Sequence, residues 1–515
     1  MDETDVLIVG GGPAGLTASL LLSTHGVRSL LVERRALPSP HPRARGVHAR
    51  AMEILRGCGV EEVVRDRALP INSGAEWRPH LDAPVLREQI TGGPTLAEVS
   101  PCEGAAIAQD VFEEVLRAHA AARPTATCWF GAELAGFSID PGPEPDGVTA
   151  RVRHSDGSVR TVRARYLVAA DGVHSGVRDR LGIALDGLDD MGSHRSIAFR
   201  ADLRRWTGEV SRGITFLTDS GAVLFATATD HRWAMSLPAP APGDAAEVVR
   251  SVLHVDVHPE VIADGEWTAV ARTARRFAVG PVFLVGDAAH QAPPAGATGI
   301  STAMADVHNL AWKLAAVLDG RADPALLDTY REEREPVVAR VVGEARAAWD
   351  AMRDPAAVPF QGRSMRMIDM GYRYRSAAVL DDGSPDPDVP GDYLPLAVPG
   401  CRAPHLWLGT RSVIDLFGTD PVLLTGPDGG SWRSAMPAGV LGHRIDDPGW
   451  ARLYGTGPAG AVLVRPDGHV AWRAAGAATS RTAAAAELEA AAAAMFGRHA
   501  TGTADHTPVA AASLA

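Results

Sequence analysis

The sequence predicts an α/β protein built on a dinucleotide-binding βαβ unit, and three stretches carry that expectation. Residues 6–9 (Val-Leu-Ile-Val) form a short aliphatic run, followed at once by Gly10-Gly11-Gly12-Pro13-Ala14-Gly15. Residues 165–170 hold a second apolar run, which stops at Asp171-Gly172. A third, residues 282–285, stops at Gly286-Asp287. Aliphatic runs of strand length without alternation mark strands buried on both faces of a parallel sheet.

In the first unit each glycine answers a separate demand. Gly10 makes the tight turn, Gly12 lets backbone approach a pyrophosphate, and Gly15 lets helix and strand pack closely. Residues 16–25 are the expected helix, whose N-terminus offers free N–H groups and a positive dipole end to phosphate. The next apolar run, residues 28–32, ends in Glu33, an acid roughly twenty residues on that can accept from a ribose hydroxyl. Glycines alone also make ordinary turns. Strand, glycines, helix, strand and acid in this order predict a dinucleotide site.

Farther along, residues 38–42 are a proline-broken loop. Residues 43–55 are expected to enter a helix whose arginines either clamp an anion or face solvent. Short alternating runs suggest strands between residues 68 and 100, then a helix at 109–116 and strands at 126–130 and 147–154. Ser155-Asp156-Gly157-Ser158 is a hairpin turn signal. Residues 173–178 begin a helix that Asp171 could cap, and His174 and Arg178 read as structural. Alternating strands at 196–201, 213–218, 222–227 and 232–237 suit an antiparallel sheet with one face lining a pocket. Phe199, Phe216, Phe225, Trp233 and Met235 are candidates for an aromatic substrate there, each otherwise a core residue. Asp287 can accept from a polyol hydroxyl or cap the helix that runs through Lys313, whose N-terminus favours negative charge on a bound ring. Helices fill 324–352, and 355–399 is a Pro-, Gly- and Asp-rich connection. A separate unit follows, with strands near 413–417, 422–425 and 461–465, another from 469, and an Ala-rich helix at 483–495.

Hydrophobic content of 46% and charged content of 22% over 515 residues are those of a globular protein of two to four domains. A net charge of −12 argues against nonspecific nucleic-acid binding. Cys58, Cys102, Cys128 and Cys401 form no C-x-x-C pair, which fits a reducing cytoplasm and neither a disulfide frame nor a metal site. The acidic Met1-Asp2-Glu3 start and the glycine-broken run after it predict no signal peptide and no membrane span.

Taken in order, these motifs resemble those of the group A FAD-dependent aromatic monooxygenases, of the bacterial polyketide and antibiotic hydroxylase type. Gly10 to Gly15 with Glu33 is similar to the family's dinucleotide fingerprint, and Asp171-Gly172-Val173-His174-Ser175-Gly176-Val177-Arg178 to its DG motif. Gly286-Asp287-Ala288-Ala289-His290 with Pro293-Pro294 is similar to its GD motif, and the likeness continues through Asn309-Leu310-Ala311-Trp312-Lys313-Leu314. Pro399-Gly400-Cys401-Arg402-Ala403-Pro404-His405 resembles the start of its thioredoxin-like C-terminal domain.

The resemblance implies a Rossmann-like FAD-binding domain (1–75, 100–182 and 274–345) interleaved with an antiparallel-sheet substrate domain (76–99 and 183–273). A connecting segment (346–398) would lead to the thioredoxin-like domain (399–515). Implied cofactor contacts are Gly10, Gly12, Ala14, Gly15, Glu33, Arg34, Arg43, Gln109, Asp171, Asp287, Pro294, Gly296, Ala297, Thr298, Gly299 and Ile300. Among them Glu33 would meet the adenosine ribose and Asp287 the ribityl chain. Pro293 would place its backbone near the flavin's reactive edge and beside the substrate. The implied chemistry is reduction of FAD by NADPH or NADH, addition of O2, and oxygen transfer from a C4a-hydroperoxyflavin to an aromatic, polycyclic polyketide-type substrate. No general base is assigned, and the expected state is a monomer or homodimer. Baeyer–Villiger insertion, epoxidation or a non-catalytic binding subunit would share the same cofactor residues, while a halogenase's W-x-W-x-I-P motif is absent from the sequence. One departure stands out. Gly296-Ala297-Thr298-Gly299-Ile300-Ser301 replaces the frequent Gly-Gly-x-Gly-x-Asn, and Ala303 replaces a frequent glycine, so the flavin's seating is where this chain is expected to differ.

Overall fold

The computed structural model describes residues 1–40, 44–70, 72–89, 98–141, 147–209, 212–353, 364–387 and 391–498. Its first layer is an eight-stranded sheet whose parallel part is β1 (Asp2–Val9), β2 (Ser29–Glu33), β3 (Ala126–Phe130), β4 (Val159–Ala169) and β5 (Val282–Leu284), with Ala132–Ile139, Val148–His154 and Ala278–Val279 joined antiparallel. The strands lie in the order β5-β4-β1-β2-β3. That is the doubly wound order, with the chain reversing direction across the sheet between β1 and β4. The aliphatic runs explain it: Val6, Leu7, Ile8, Leu31, Leu167 and Leu284 are wholly buried. Helix α1 (Pro13–Thr24) packs beneath, against the long α3 (Gly299–Leu318). Between them in sequence lies α2 (Ala49–Gly57), and α4 (Asp328–Arg353) follows α3.

A second, seven-stranded sheet is built from residues 72–89 and 193–268, in the order Glu260–Thr268, Ser193–Arg200, Arg232–Pro238, Ala222–Ala226, Arg212–Leu217, Asn72–Arg78, Arg87–Gln89. Its neighbours are antiparallel except Arg212–Leu217 beside Asn72–Arg78, which run parallel. Helix Ala245–Leu253 covers one face with Val249 and Leu253. The C-terminal unit has a four-stranded sheet ordered Leu441–Arg444, Val422–Thr425, Ala461–Val464, Val470–Ala474, its first pair parallel and the others antiparallel. Helix Arg481–Met495 packs on it, in keeping with the thioredoxin-like expectation.

Two expected elements differ. Residues 413–417 read as a strand from their β-branched start, yet Val413–Leu416 is a 3-10 helix. Ser412 and Asp415 form a reciprocal capping box that closes the turn. Residues 43–48 read as helix, yet Gly46–Val47 is a short strand beside Ala105–Ala106, and α2 starts only at Ala49. The bonds from Gln109 N–H to Ala44 O (3.0 Å) and from Ile107 N–H to Arg45 O (2.9 Å) hold that segment extended.

Buried ion pairs tie the C-terminal unit to the first layer. Glu53 of α2 accepts from Arg50 (2.9 Å) and from Arg402 Nε (2.9 Å). Glu333 of α4 accepts from Lys313 (2.8 Å) and Arg465 Nη1 (2.6 Å), and Arg465 also meets Asp467. No described helix is long and apolar enough to cross a membrane.

Candidate active site

The carboxyl ends of β1 and β4 meet at the switch point, where ligands bind in open α/β sheets. Gly10 turns there at φ +108°, and a Cβ on it would sit 2.2 Å from Ala170 O. A Cβ on Gly15 would sit 1.9 Å from Gly10 O. Gly12 is different: a Cβ there would meet no protein atom within 4 Å, so its side faces an open cleft. No side chain caps α1, which starts from Gly12 with Pro13 as its first residue. Its first-turn N–H groups are therefore left to an anion. Glu33 is already oriented, accepting from Gly11 N–H (2.6 Å) and Arg35 N–H (2.8 Å).

The cleft runs from Glu33, Arg34 and Arg35 past Gly10 to Ala14, Asp171 and Asp287, to Gly299, Ile300 and Ala303 at the start of α3. Helix α3 also lacks a side-chain cap at Thr298, so two uncapped helix ends border one cleft. The DG and GD loops are laced together here. Arg178 donates to Ala288 O (3.2 Å) and Val173 O (3.3 Å), and Gln291 Nε2 donates to Val173 O (2.9 Å) and Asp287 O (3.2 Å). Asp171 Oδ2 accepts from Val177 N–H (3.1 Å), while the helix is capped by Ser175. Among the described residues its Oδ1 is buried without a hydrogen-bond partner, and burial raises the carboxyl's pKa. A lone buried oxygen, an acid over the first turn and a glycine opening into empty space are what a dinucleotide with hydroxyls and phosphates would complete.

The structure thus brings Gly10, Gly12, Ala14, Glu33, Arg34, Gln109, Asp171, Asp287, Gly299 and Ile300 to one cleft. Gly15 serves the packing beneath it. Pro293, Pro294, Gly296, Ala297 and Thr298 form the loop leading into α3, with left-handed backbone at Gly296 (φ +84°) and Ala297 (φ +52°). Arg43 lies outside the described residues. The sheet's register separates the aromatic candidates. Phe199 pairs with Trp233, Trp233 with Ala226, and Met235 with Leu224, which puts all three on the face packed against helix Ala245–Leu253. They are core residues, which corrects their reading as candidate substrate contacts. Phe216 faces Val223, two residues from Phe225, so these half-buried rings share the opposite face. Trp77 stacks on Phe216 at 5.0 Å.

Sequence reasoning missed Glu113 and Arg117. With Gln109 they stand at i, i+4 and i+8 on helix Gln109–Ala121 and all line the cleft, a periodicity visible beforehand. It also missed Asp306, which is fully buried and accepts from Gly286 N–H (3.0 Å), His290 Nε2 (2.7 Å) and Arg334 Nε (2.8 Å).

Two family profiles match the chain: one described as FAD binding domain over residues 3–345, and one described as aromatic-ring hydroxylase, C-terminal, over residues 397–499. The chain belongs to the FAD-dependent aromatic-ring hydroxylases. This hydroxylase is 38% identical to the tetracenomycin A2 monooxygenase-dioxygenase of Streptomyces glaucescens, over 92% of this chain and 94% of that one. It is 36% identical to an aklavinone 12-hydroxylase of Streptomyces purpurascens, over 92% and 95%. Among solved structures it resembles the flavin-dependent monooxygenase PieE in complex with FAD and substrate, with a TM-score of 0.86 and 31% identity over 96% of this chain and 99% of that chain. A ternary complex of aklavinone-11 hydroxylase with FAD and aklavinone gives 0.84 and 33%, over 97% and 100%. The hydroxylase is therefore a flavoprotein monooxygenase, with NAD(P)H and O2 as its co-substrates.

Proposed function

We propose that this hydroxylase adds one oxygen atom to a polycyclic phenolic substrate of polyketide type. One juxtaposition carries the reading. The aromatic face of the second sheet, with Phe216 and Phe225, lies across from the loop that leads into α3. The link is the segment at Arg45 and Gly46: Arg45 reaches Phe225, and a Cβ on Gly46 would lie 3.6 Å from Ala297 Cβ. The names of the relatives, which act on tetracenomycin and aklavinone, support the same substrate class.

In this reading Glu33 holds the adenosine ribose, and the Gly12 turn with the α1 N-terminus holds the pyrophosphate. Asp287 meets the ribityl hydroxyls, and the N-terminus of α3 faces the flavin ring. Bound FAD supplies the electron and oxygen chemistry. The chain's own work is to bind, to orient the ring to be oxidised and to keep water away from it. The test is NADPH oxidation by the FAD-loaded protein in air, with and without a panel of polycyclic phenols, followed by product mass. Acceleration with a gain of one oxygen atom is expected. FAD that is never reduced by NADPH under any addition would overturn the reading.

A further inference from the structure

We propose that Arg45 is an oxyanion-recognition site that holds an acidic group of the substrate, a ring-borne carboxylate or ionised hydroxyl, above Phe225. This rests on the reading that an aromatic substrate occupies the sheet face described above.

The root of Arg45 is fixed, since its carbonyl accepts from Ile107 N–H and the next residue pairs with Ala106. Its side chain then leaves the cofactor domain and crosses to the second sheet. Nη1 donates to Ala226 O at 3.3 Å, and Cζ lies 5.3 Å from the Phe225 ring centre. Among the described residues these contacts leave most of its five N–H donors free.

Unlike the acid-paired arginines around it, Arg45 has no carboxylate partner among the described residues. Arg232, from the same sheet, pairs with Asp110; Arg195 pairs with Asp264, Arg50 with Glu53 and Arg334 with Asp306. Arg45 forms no ion pair among the described residues. Burial pulls its pKa down to about 10, and no neighbouring charge offsets that pull. Arg117 is also lowered by burial, but there Glu33 and Glu113 push back. Keeping a guanidinium partly buried beside an aromatic face with no counter-ion costs stability. An incoming oxyanion would recover that cost, and a planar fork of donors suits a carboxylate or phenolate. The Phe225 ring beneath would stack the substrate, so one residue pair reads both the acid and the ring.

The test measures binding to the FAD-loaded full chain by perturbation of the flavin spectrum, at a pH where the probes are ionised. Anthraquinone-2-carboxylate is compared with its methyl ester, and 2-hydroxyanthraquinone with its methyl ether. Each is measured against the wild type, Arg45→Met and Arg45→Lys. In the wild type at least one acid should bind roughly 10- to 100-fold tighter than its neutral partner. The pair that shows it tells carboxylate from ionised hydroxyl. In Arg45→Met the preference should vanish while the neutral partner's Kd holds, and Arg45→Lys should keep part of it. If Arg45→Met loses FAD, Arg45→Gln takes its place. An unchanged preference in the Met or Gln variant overturns the proposal, as does a wild type that binds neutral partners equally well. Phenols that are hydroxylated while the Arg45 variants keep the acid preference sink this inference alone. An Arg45-dependent preference with no phenol ever oxidised sinks the proposed reaction alone.

Discussion

At the scale of single residues, the three glycines of the first turn predict three different failures. Gly15→Ala pushes a methyl into Gly10 O and should cost about 3 kcal/mol or more, read by urea unfolding. Gly12→Ala meets no protein atom, and Gly12 already has extended backbone that alanine adopts freely (φ −82°, ψ −175°). The unliganded variant should unfold within about 0.5 kcal/mol of the wild type, yet its methyl would occupy the space proposed for the pyrophosphate. Loss of FAD from a normally stable Gly12→Ala protein is the expected result; full FAD content would count against the assignment. Ala297 makes the opposite prediction. Its left-handed backbone costs an L-residue about 1–2 kcal/mol, so Ala297→Gly should stabilise by about 1 kcal/mol once glycine's larger unfolded entropy is subtracted. The differing motif noted in the sequence is thus a strained turn beside α3. Ala303 adds a second effect, its methyl lying where a Cβ on Gly286 would be 3.0 Å away.

At the scale of elements, Asp306 matters most. One carboxylate on α3 fixes the Gly286 turn, His290 and Arg334 of α4. Asp306→Asn would leave Arg334 buried without a counter-charge and should cost about 3–5 kcal/mol, measured by denaturant unfolding. The doubly wound sheet was legible because β1, β4 and β5 each end in a continuous apolar run closed by a glycine, at Gly10, at Gly172 after Asp171 and at Gly286. The 3-10 turn at Val413–Leu416 was not, because two β-branched residues outweighed a capping box that only the pairing of Ser412 with Asp415 completes. The aromatic face was half legible. Alternation showed that the second sheet had two faces, but which one met the helix depends on the register of Phe199 with Trp233. Asp306 was out of reach, since an acid within a helical pattern looks the same whether it faces water or Arg334.

At the scale of the whole molecule, burial sets the pH response. His405 and His469 are held down to about 4 by desolvation. The unfolded chain binds those protons below about pH 6.5, while the folded chain refuses them until about 4. Stability should therefore fall as pH drops through that window, by about 1.4 kcal/mol per pH unit for each histidine. Glu53, lowered to about 2 by Arg402 and Arg50 against its own desolvation, extends the loss. Its contribution is full above its unfolded pKa and drains as pH falls towards 2. His48 runs the other way, because Asp369 raises it, and its smaller share fades as pH rises through its folded value. Urea midpoints from pH 7 to pH 4 should drop steadily, and His405→Gln should make the slope shallower.

The buried pairs that join the C-terminal unit to the first layer also impose an order in time. Glu53 and Arg402 are separated by 349 residues, and Glu333 waits on Arg465. At about 5–20 residues per second of synthesis, roughly 20–70 s pass between the making of the acid and the arrival of its guanidinium. Through that interval Glu53 has Arg50 of its own helix and Ser100 as partners but not Arg402, so its second counter-charge arrives only with the C-terminal unit. A unit made later thus completes the ion pairs of one made earlier.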